Sequence, residues 1–591
     1  MARLYGLALL LTGSIASSVL SLVPIQTSAV PPKNHAVVVG AGPVGIAAAL
    51  TLASHHNYTV TLLESSPPSS DQTKYDPTKA FLYNVNLRGQ TFTKQFPNLH
   101  QKLVERSVTS LGMGGTRITI VPADPDEEIP EKANIAGTSD SAKGSSSSTQ
   151  PAAAATKEDE GALNTEKAVG VGYWIPRHEM VKLMADCIEE HNSEHDCKID
   201  FQMGQDCVAV LPTRATKEGD DASVCVTAQG EDGTLHLHEA SLVVGADGMN
   251  SKVRGCLAEA SADTWRSHRT FNPKKFIQRK WTSPASYLRI KVLQLPPRFE
   301  IPNANGKPAL KTKSEEIYSL RGVNKGPRDF LFLGLLPMKD NTVVRPTNIV
   351  TRPDHEVWEI KDGTAMREYF QRTFPRYDFD TMISPEEWER FAKAKGTRFP
   401  PCQYSEGLAV WDATGKCGVA LVGDALHSFS PDIGQGVNAG LMDVVSLDRA
   451  LKGCDPETGK EVATTTAKED ISLKDNLERY QQRHGPEVAA LIRLARFGAP
   501  YQYNQPHRAD RILKKLWTAN VALRLILNKL TFGLVPASCI ILSQNADLTY
   551  RQVMRRADWT TAVLRTLVLG GVGLWVKSRF GLGFLKMPPL G

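Results

Sequence analysis

The sequence predicts an α/β chain: a parallel-sheet domain interleaved with an antiparallel-sheet domain, followed by a helical C-terminal region. Three observations carry this. The stretch "HAVVVGAGPVGIAAALTLASHHNYTVTLLESS" alternates buried strand, Gly turn, Ala-rich helix and second strand within about thirty residues. Between about Ser286 and Val350, segments such as "SYLRIKVLQL", "EIYSLRG" and "DFLFLGLLP" alternate as half-buried antiparallel strands do. After Asp443 the chain reads as mostly helical, with a polar loop near 455 to 475.

In the first stretch, a strand from Ala36 to Val39 runs into Gly40, and a second strand from Thr59 to Leu63 ends at Glu64. This is a dinucleotide-binding βαβ unit of the Rossmann type. Gly40 makes the tight turn, Gly42 lets a pyrophosphate approach the backbone and Gly45 lets helix pack on strand. Glu64 is placed to accept hydrogen bonds from ribose hydroxyls. A second loose segment, "VGDALHSFSPDIGQGVNAGLMD" from Val422 to Asp443, precedes a long helix. Its glycines fit either an anion site at a helix N-terminus or a Gly-rich surface loop.

The intervening regions read less sharply. From about Pro122 to Ala168 the sequence is poor in apolar residues and nearly without aromatics, which predicts a disordered insertion. Order resumes at "VGYWIPRHEMVKLMADCIEEH", a helix by its apolar spacing, and "KIDFQ", "VAVLP", "SVCVTAQ" and "LHLHEASLVVGADG" read as strands. The expected organisation is a signal peptide or N-terminal anchor at 1–30, the nucleotide-binding domain at 34–121 and 169–275, and the insertion at 122–168. An antiparallel-sheet domain at 276–400, a Gly-rich motif returning to the first domain at 401–453, and a helical region at 476–591 follow.

Nine cysteines are scattered with no C-x-x-C pair or His partner at metal spacing, so neither a disulfide framework nor a metal site is expected. Nothing points to nucleic acid. The net charge of +6 hides an asymmetry: from Arg511 onward twelve Lys/Arg stand against two Asp/Glu. With the apolar run "TLVLGGVGLWV" at 566–576, this predicts a C-terminal contact with a membrane surface. The apolar N-terminus, without an acid before Glu64, reads as a targeting segment. The expected location is an endomembrane or organelle, with the mitochondrial outer membrane as the alternative.

"GAGPVG" at Gly40, "GADGMNSKVR" at Gly245 to Arg254 and "GDALHSFSPDIGQGVNAGLMD", in this order, resemble the single-component FAD-dependent aromatic hydroxylases. The resemblance implies non-covalent FAD, with Asp247 near the pyrophosphate and Asp424 on a ribityl hydroxyl. Pro431, Gly434, Gly436, Val437 and Asn438 would meet the pyrophosphate and the flavin pyrimidine edge, and Arg177 would face the flavin. The chain is most similar by eye to kynurenine 3-monooxygenase-like proteins, through "YNVNLRGQTFTKQF", "MREYFQRTFPRY", "RHGPEVAALIRLARF" and "LTYRQVMRRADW". That similarity implies Arg88, Asn438 and Tyr501 as substrate contacts. Where those proteins carry a Tyr in an "NY" pair, this chain has "FGAP", so kynurenine is expected to be a poor substrate.

The expected reaction is hydroxylation of an aromatic or similar electron-rich molecule with O2 and NADPH or NADH. With one dinucleotide fingerprint, the reductant is expected to visit transiently. No acid or base is required of the protein, and none is assigned. The alternatives are a membrane-associated flavin reductase, dehydrogenase or epoxidase acting on an isoprenoid-type lipid, and a flavoprotein whose catalysis has lapsed.

Overall fold

The computed structural model describes residues 25–27 and 34–580, apart from 71, 112–116, 131–132, 135–170, 214–221, 262, 266–270, 324–325, 327–328, 340–343, 462–471, 502 and 504–506. A six-stranded sheet forms the base of the first domain. Its spatial order is Ala409–Trp411, Gly418–Leu421, Leu242–Gly245, His35–Val39, Thr59–Glu64 and Ile199–Met203. All neighbours are parallel except the first pair. Position explains the unbroken apolar run of strand His35–Val39: Ala36, Val37 and Val38 are fully buried because helices cover both faces of a parallel sheet. The helix Pro43–His56 lies against it through alanines and leucines. Gly45 is what allows this packing, since a Cβ there would stand 1.8 Å from the Gly40 carbonyl oxygen.

The second domain is built on a seven-stranded sheet in the order Thr397–Arg398, Arg289–Leu295, Arg345–Thr351, Phe332–Leu335, Ile317–Arg321, Arg117–Val121 and Ala133–Asn134. Helices Gly363–Thr373 and Pro385–Lys393 cover it. Phe370 meets Phe374, Phe379, Trp388 and Phe391 at 5.1–5.9 Å between ring centroids, a separate aromatic core from that of the first domain. Edge-to-face rings of this kind add to simple area burial.

The first part of the expected disordered insertion is instead held by this domain. The buried Arg376 guanidinium donates to the carbonyls of Pro122, Asp124 and Glu127. Ile118 pairs with Ala133, and the Ile129 amide donates to Asn303. A polar segment without a core of its own is thus ordered by carbonyl acceptors that a distant arginine satisfies. Residues 135–168 of that expectation lie outside the described residues.

Long helices Leu473–Phe497, Arg508–Leu530 and Tyr550–Phe580 complete the chain. Among the described residues no helix is long and apolar enough to cross a membrane. Most of the expected N-terminal segment at 1–30 lies outside the described residues. Its strand Ile25–Thr27 pairs in parallel with Leu235–Leu237.

Candidate functional site

Four parallel strands end at the same edge of the six-stranded sheet, and each delivers one candidate residue there. His35–Val39 leads into Gly40 and Gly42, and Thr59–Glu64 ends in its own carboxylate. Leu242–Gly245 leads to Asp247, and Gly418–Leu421 leads to Asp424. Parallel strands place ligand-binding loops at their carboxyl ends, and here the adjacent order 418–421, 242–245, 35–39, 59–64 puts the four loops side by side. Two helix N-termini, at Pro43 and Gly436, open on this edge. They belong to neighbouring helices, with Gly440 seated against Val44.

The glycines here fall into two groups. Gly40, Gly45, Gly423 and Gly440 have internal reasons: a Cβ would press on Ala246, Gly40 or Val44, and Gly40 and Gly423 have φ of +99° and +61°. At Gly42 and Gly436 neither reason exists. Their φ lies outside the left-handed region, and a Cβ would meet nothing within 4 Å. Gly434 has φ +61°, and a Cβ there also meets open space. Open backbone at two helix starts fits a group that lies directly against it.

The carboxylates complete the cradle. Glu64 accepts the amides of Ala41 and Ser66 at 2.9 and 3.0 Å, fixing the turn while keeping lone pairs for ribose hydroxyls. One oxygen of Asp247 accepts the amides of Lys252 and Val253, whereas the other is buried without a partner. Burial raises its pKa, although the amide bonds oppose the shift. Asp424 opens to solvent but is ringed by protein, and this desolvation raises its pKa too. Arg177 donates to Gln72 at 3.0 Å and stands by the Tyr83 hydroxyl. Beside it a cavity of about 220 Å³ is lined by Lys74, Lys79, Asp76 and His178. Pro431 is exposed and Val437 half-buried on the same Gly-rich loop. Open glycines, an orphaned carboxylate oxygen and a cationic recess match the phosphates and hydroxyls of FAD.

Residues 410–470 match the family described as FAD binding domain. The chain carries an FAD-binding domain. No curated protein matches its sequence. Among solved structures, it is similar to 2-methyl-3-hydroxypyridine-5-carboxylic acid oxygenase at 16% identity and TM-score 0.46, over 78% of this chain and 90% of that one. It is also similar to PqsL, titled a probable FAD-dependent monooxygenase from Pseudomonas aeruginosa, at 17% and 0.42 over 78% and 95%. The tetracycline destructase Tet(55) gives 14% and 0.46 over 84% and 97%. Likenesses this distant leave the flavoenzyme's activity to be argued from its own residues.

Two expected substrate contacts, Arg88 and Asn438, are placed differently by the structure. The Arg88 guanidinium does not point into open space. It is buried, donates to the carbonyls of Asn545 and Leu548 at 2.8 and 2.6 Å and of Ser543 at 3.4 Å, and lies 4.6 Å over the Tyr550 ring. Its charge is spent on holding the loop before the last helix. Asn438 is fully buried and occupied: it accepts the Asn86 amide and donates to Asn84 and Gly434. It ties the Gly-rich loop to the strand Leu82–Val85 instead of facing a substrate. Tyr501 lies within electrostatic reach of Asp510 on the next helix. Tyr503, two residues on, reaches toward the Gly-rich loop, near Asp432, with its ring tilted against Phe399 at 5.7 Å between centroids.

A buried network behind the cradle escaped the sequence reading. Asp443 accepts the Gly423 amide at 2.7 Å and the imidazoles of His427 and His484 at 2.8 and 2.7 Å, while His484 also meets Glu457 at 2.8 Å. Burial pushes the Asp443 carboxyl up, but the two imidazoles outweigh this and bring it to about 2. Burial likewise lowers His484, and its two carboxylate partners lift it to about 10. These shifts are two views of one interaction. His427 serves here as a hydrogen-bonded packing residue, and its Nδ1 is buried without a partner. The one available signal was an acid on the buried face of a helix, two turns after Gly436.

Proposed function

We propose that this flavoenzyme is a monooxygenase that takes electrons from NADPH or NADH and transfers an oxygen atom from O2 to an aromatic or similarly electron-rich small molecule. The observation that supports this best is the open N-terminus of helix Gly436–Leu451 at the cradle. Unpaired amides and the helix dipole there favour negative charge on a bound ring, and Gly434 and Gly436 let it come close. When bound, FAD supplies the redox chemistry that activates O2. The chain's own part is to hold and orient: Glu64, Asp247 and Asp424 for hydroxyls, the starts of the two helices for phosphate and ring, and Arg177 with its neighbouring lysines for anionic groups. Asn438 and Asp443 keep the Gly-rich loop in register with the strands on either side. The kynurenine-type subgroup is not adopted, because its substrate arginine is here committed to protein carbonyls.

A second reading has its own observation. Leu516, Leu530, Phe532 and Leu534 are exposed, Phe532 by 98%, beside Lys514, Lys515 and Lys529. Such a face suits an anionic membrane surface, an endomembrane or organelle setting such as the mitochondrial outer membrane, and a lipid-like substrate for a reductase or epoxidase. The deciding experiment is a screen of aromatic and isoprenoid compounds with the purified holoenzyme under isotopically labelled O2. The proposal expects an aromatic compound to accelerate NAD(P)H oxidation and to acquire one labelled atom. Reduction of acceptors without label, or label only in isoprenoids, would favour the second reading.

A further inference from the structure

Gln435 stands between Gly434 and Gly436, at neither of which a Cβ would meet an atom within 4 Å. Packing does not fix the backbone here, and a glycine on each side gives it more conformational freedom than other residues would. Yet this loop carries the start of helix Gly436–Leu451, the part of the cradle that a bound flavin approaches. Side chains have to hold it. Asn438 ties one end to the Asn86 amide at 3.0 Å. Gln435, 1% exposed, ties the other: its Oε1 accepts the hydroxyl of Tyr550 at 3.0 Å, from the start of the last helix, Tyr550–Phe580.

The two anchors meet again behind the loop. Asn86 caps helix Leu87–Thr93 by accepting the amides of Arg88 and Gly89 at 3.0 and 3.4 Å. Arg88 of that helix lies over the Tyr550 ring and donates to the carbonyls of Asn545 and Leu548 just before it. Glu487 accepts the Thr549 hydroxyl and the Arg551 amide, each at 3.0 Å, so Tyr550 is fixed from both chain neighbours. Burial pushes its phenol up to about 12, although Arg88 opposes the shift, so the hydroxyl keeps its proton and donates. Residues 86–88, 434–438 and 545–550 thus close a ring of contacts around the flavin loop.

We propose that Tyr550 is a positioning residue for the flavin: by holding the Gln435 side chain it fixes the backbone from Gly434 to Gly436, and so makes the start of the last helix part of the FAD site. Without its hydroxyl the loop samples other backbone angles, and FAD binds only the fraction that is correctly shaped. Arg88 acts one step further back, by orienting the Tyr550 ring. The proposal needs FAD in the cradle and makes no use of oxygen transfer, so it stands or falls apart from the monooxygenase reading.

The test titrates the full-length apoprotein with FAD, followed by flavin fluorescence, in Tyr550→Phe, Gln435→Met and the double variant, with chemical denaturation of each apoprotein alongside. Tyr550→Phe keeps the ring under Arg88 and removes the hydroxyl alone. Each single variant is expected to bind FAD about fivefold more weakly, within the range of one lost hydrogen bond, and the double variant no more weakly than the weaker single. Hydrogen exchange of the amides at 434–436 should quicken in all three apoproteins. Gln435→Met carries the test if Tyr550→Phe does not fold. FAD bound by both single variants as tightly as by the parent, with denaturation alone shifted, would make the contact merely structural and overturn the proposal. A double variant whose loss is the product of the two single losses would overturn it too, since the residues would then act independently. The titration contains neither NAD(P)H nor a substrate, so the two readings can fail separately: the predicted FAD losses in a protein that transfers no oxygen would remove the monooxygenase reading alone.

Discussion

The flavin cradle and the surroundings of Arg88 both carry a sequence pattern that points to a ligand, and they differ in what the fold leaves unsatisfied. At the cradle, Gly42 and Gly436 face open space with backbone angles any residue could adopt, and an Asp247 oxygen is buried without a partner. Around Arg88 three carbonyls and an aromatic ring have taken up the guanidinium. The first region is intelligible only with a bound group. The second is mostly taken up by the chain itself: one terminal nitrogen serves the three carbonyls, and Nε is left buried without a partner. A conformationally unnecessary glycine is therefore a stronger sign of a ligand than a buried arginine is, because arginine's five donors can be used by the chain itself.

The comparison can be broken first at a glycine of the other kind. Gly45→Ala puts a methyl group 1.8 Å from the Gly40 oxygen. It should prevent folding of the first domain, seen as loss of soluble protein, whether or not FAD is supplied. A soluble, stable variant would show that the strand–helix contact is not as described. Next in size, Arg88→Met should cost about 3 kcal/mol in chemical denaturation, since buried carbonyls near Asn545 and Leu548 lose their donor. The Michaelis constants for acidic and neutral substrates should change together. A selective loss for acids would return Arg88 to the substrate site.

The smallest effect sharpens the account of what holds the cradle's floor. Asp443 titrates well below an ordinary aspartate, so its contribution to stability is present above about pH 4 and fades as pH falls toward 2. His484 titrates well above an ordinary histidine, so its contribution is complete below about pH 6.5 and declines as pH rises toward 10. Asp443→Asn should flatten both limbs of the stability curve measured by thermal melts of the FAD-loaded protein. An unchanged profile would mean the network carries no net charge coupling.

Much of the fold was legible because it is local. The strand, turn, helix and terminal acid from Ala36 to Glu64 are set by glycines and apolar runs within thirty residues. Asp247 and Asp424 were named through the resemblance carried by "GADGMNSKVR" and "GDALHSFSPDIGQGVNAGLMD", and strands Leu242–Gly245 and Gly418–Leu421 bring them to one sheet edge. What was not legible depends on partners far along the chain. Arg88 meets carbonyls some 455 to 460 residues away, and a backbone acceptor has no sequence signature. Arg376 orders residues 122–127 in the same way, across about 250 residues. The Asp443 cluster joins three segments whose spacing has no period, so only its burial on the helix hinted at it.

The central claim is that Gly42 and Gly436 are glycine for the sake of FAD and for no reason internal to the protein. Gly436→Ala tests it most directly, by apoprotein denaturation and FAD titration side by side. Alanine at the first position of helix Gly436–Leu451 meets no atom within 4 Å, so the apoprotein should be as stable as the parent or more stable by up to about 1 kcal/mol. FAD affinity should fall at least about tenfold, since the added methyl group separates ring and backbone. A destabilised apoprotein, or FAD bound as tightly as by the parent, would contradict the claim.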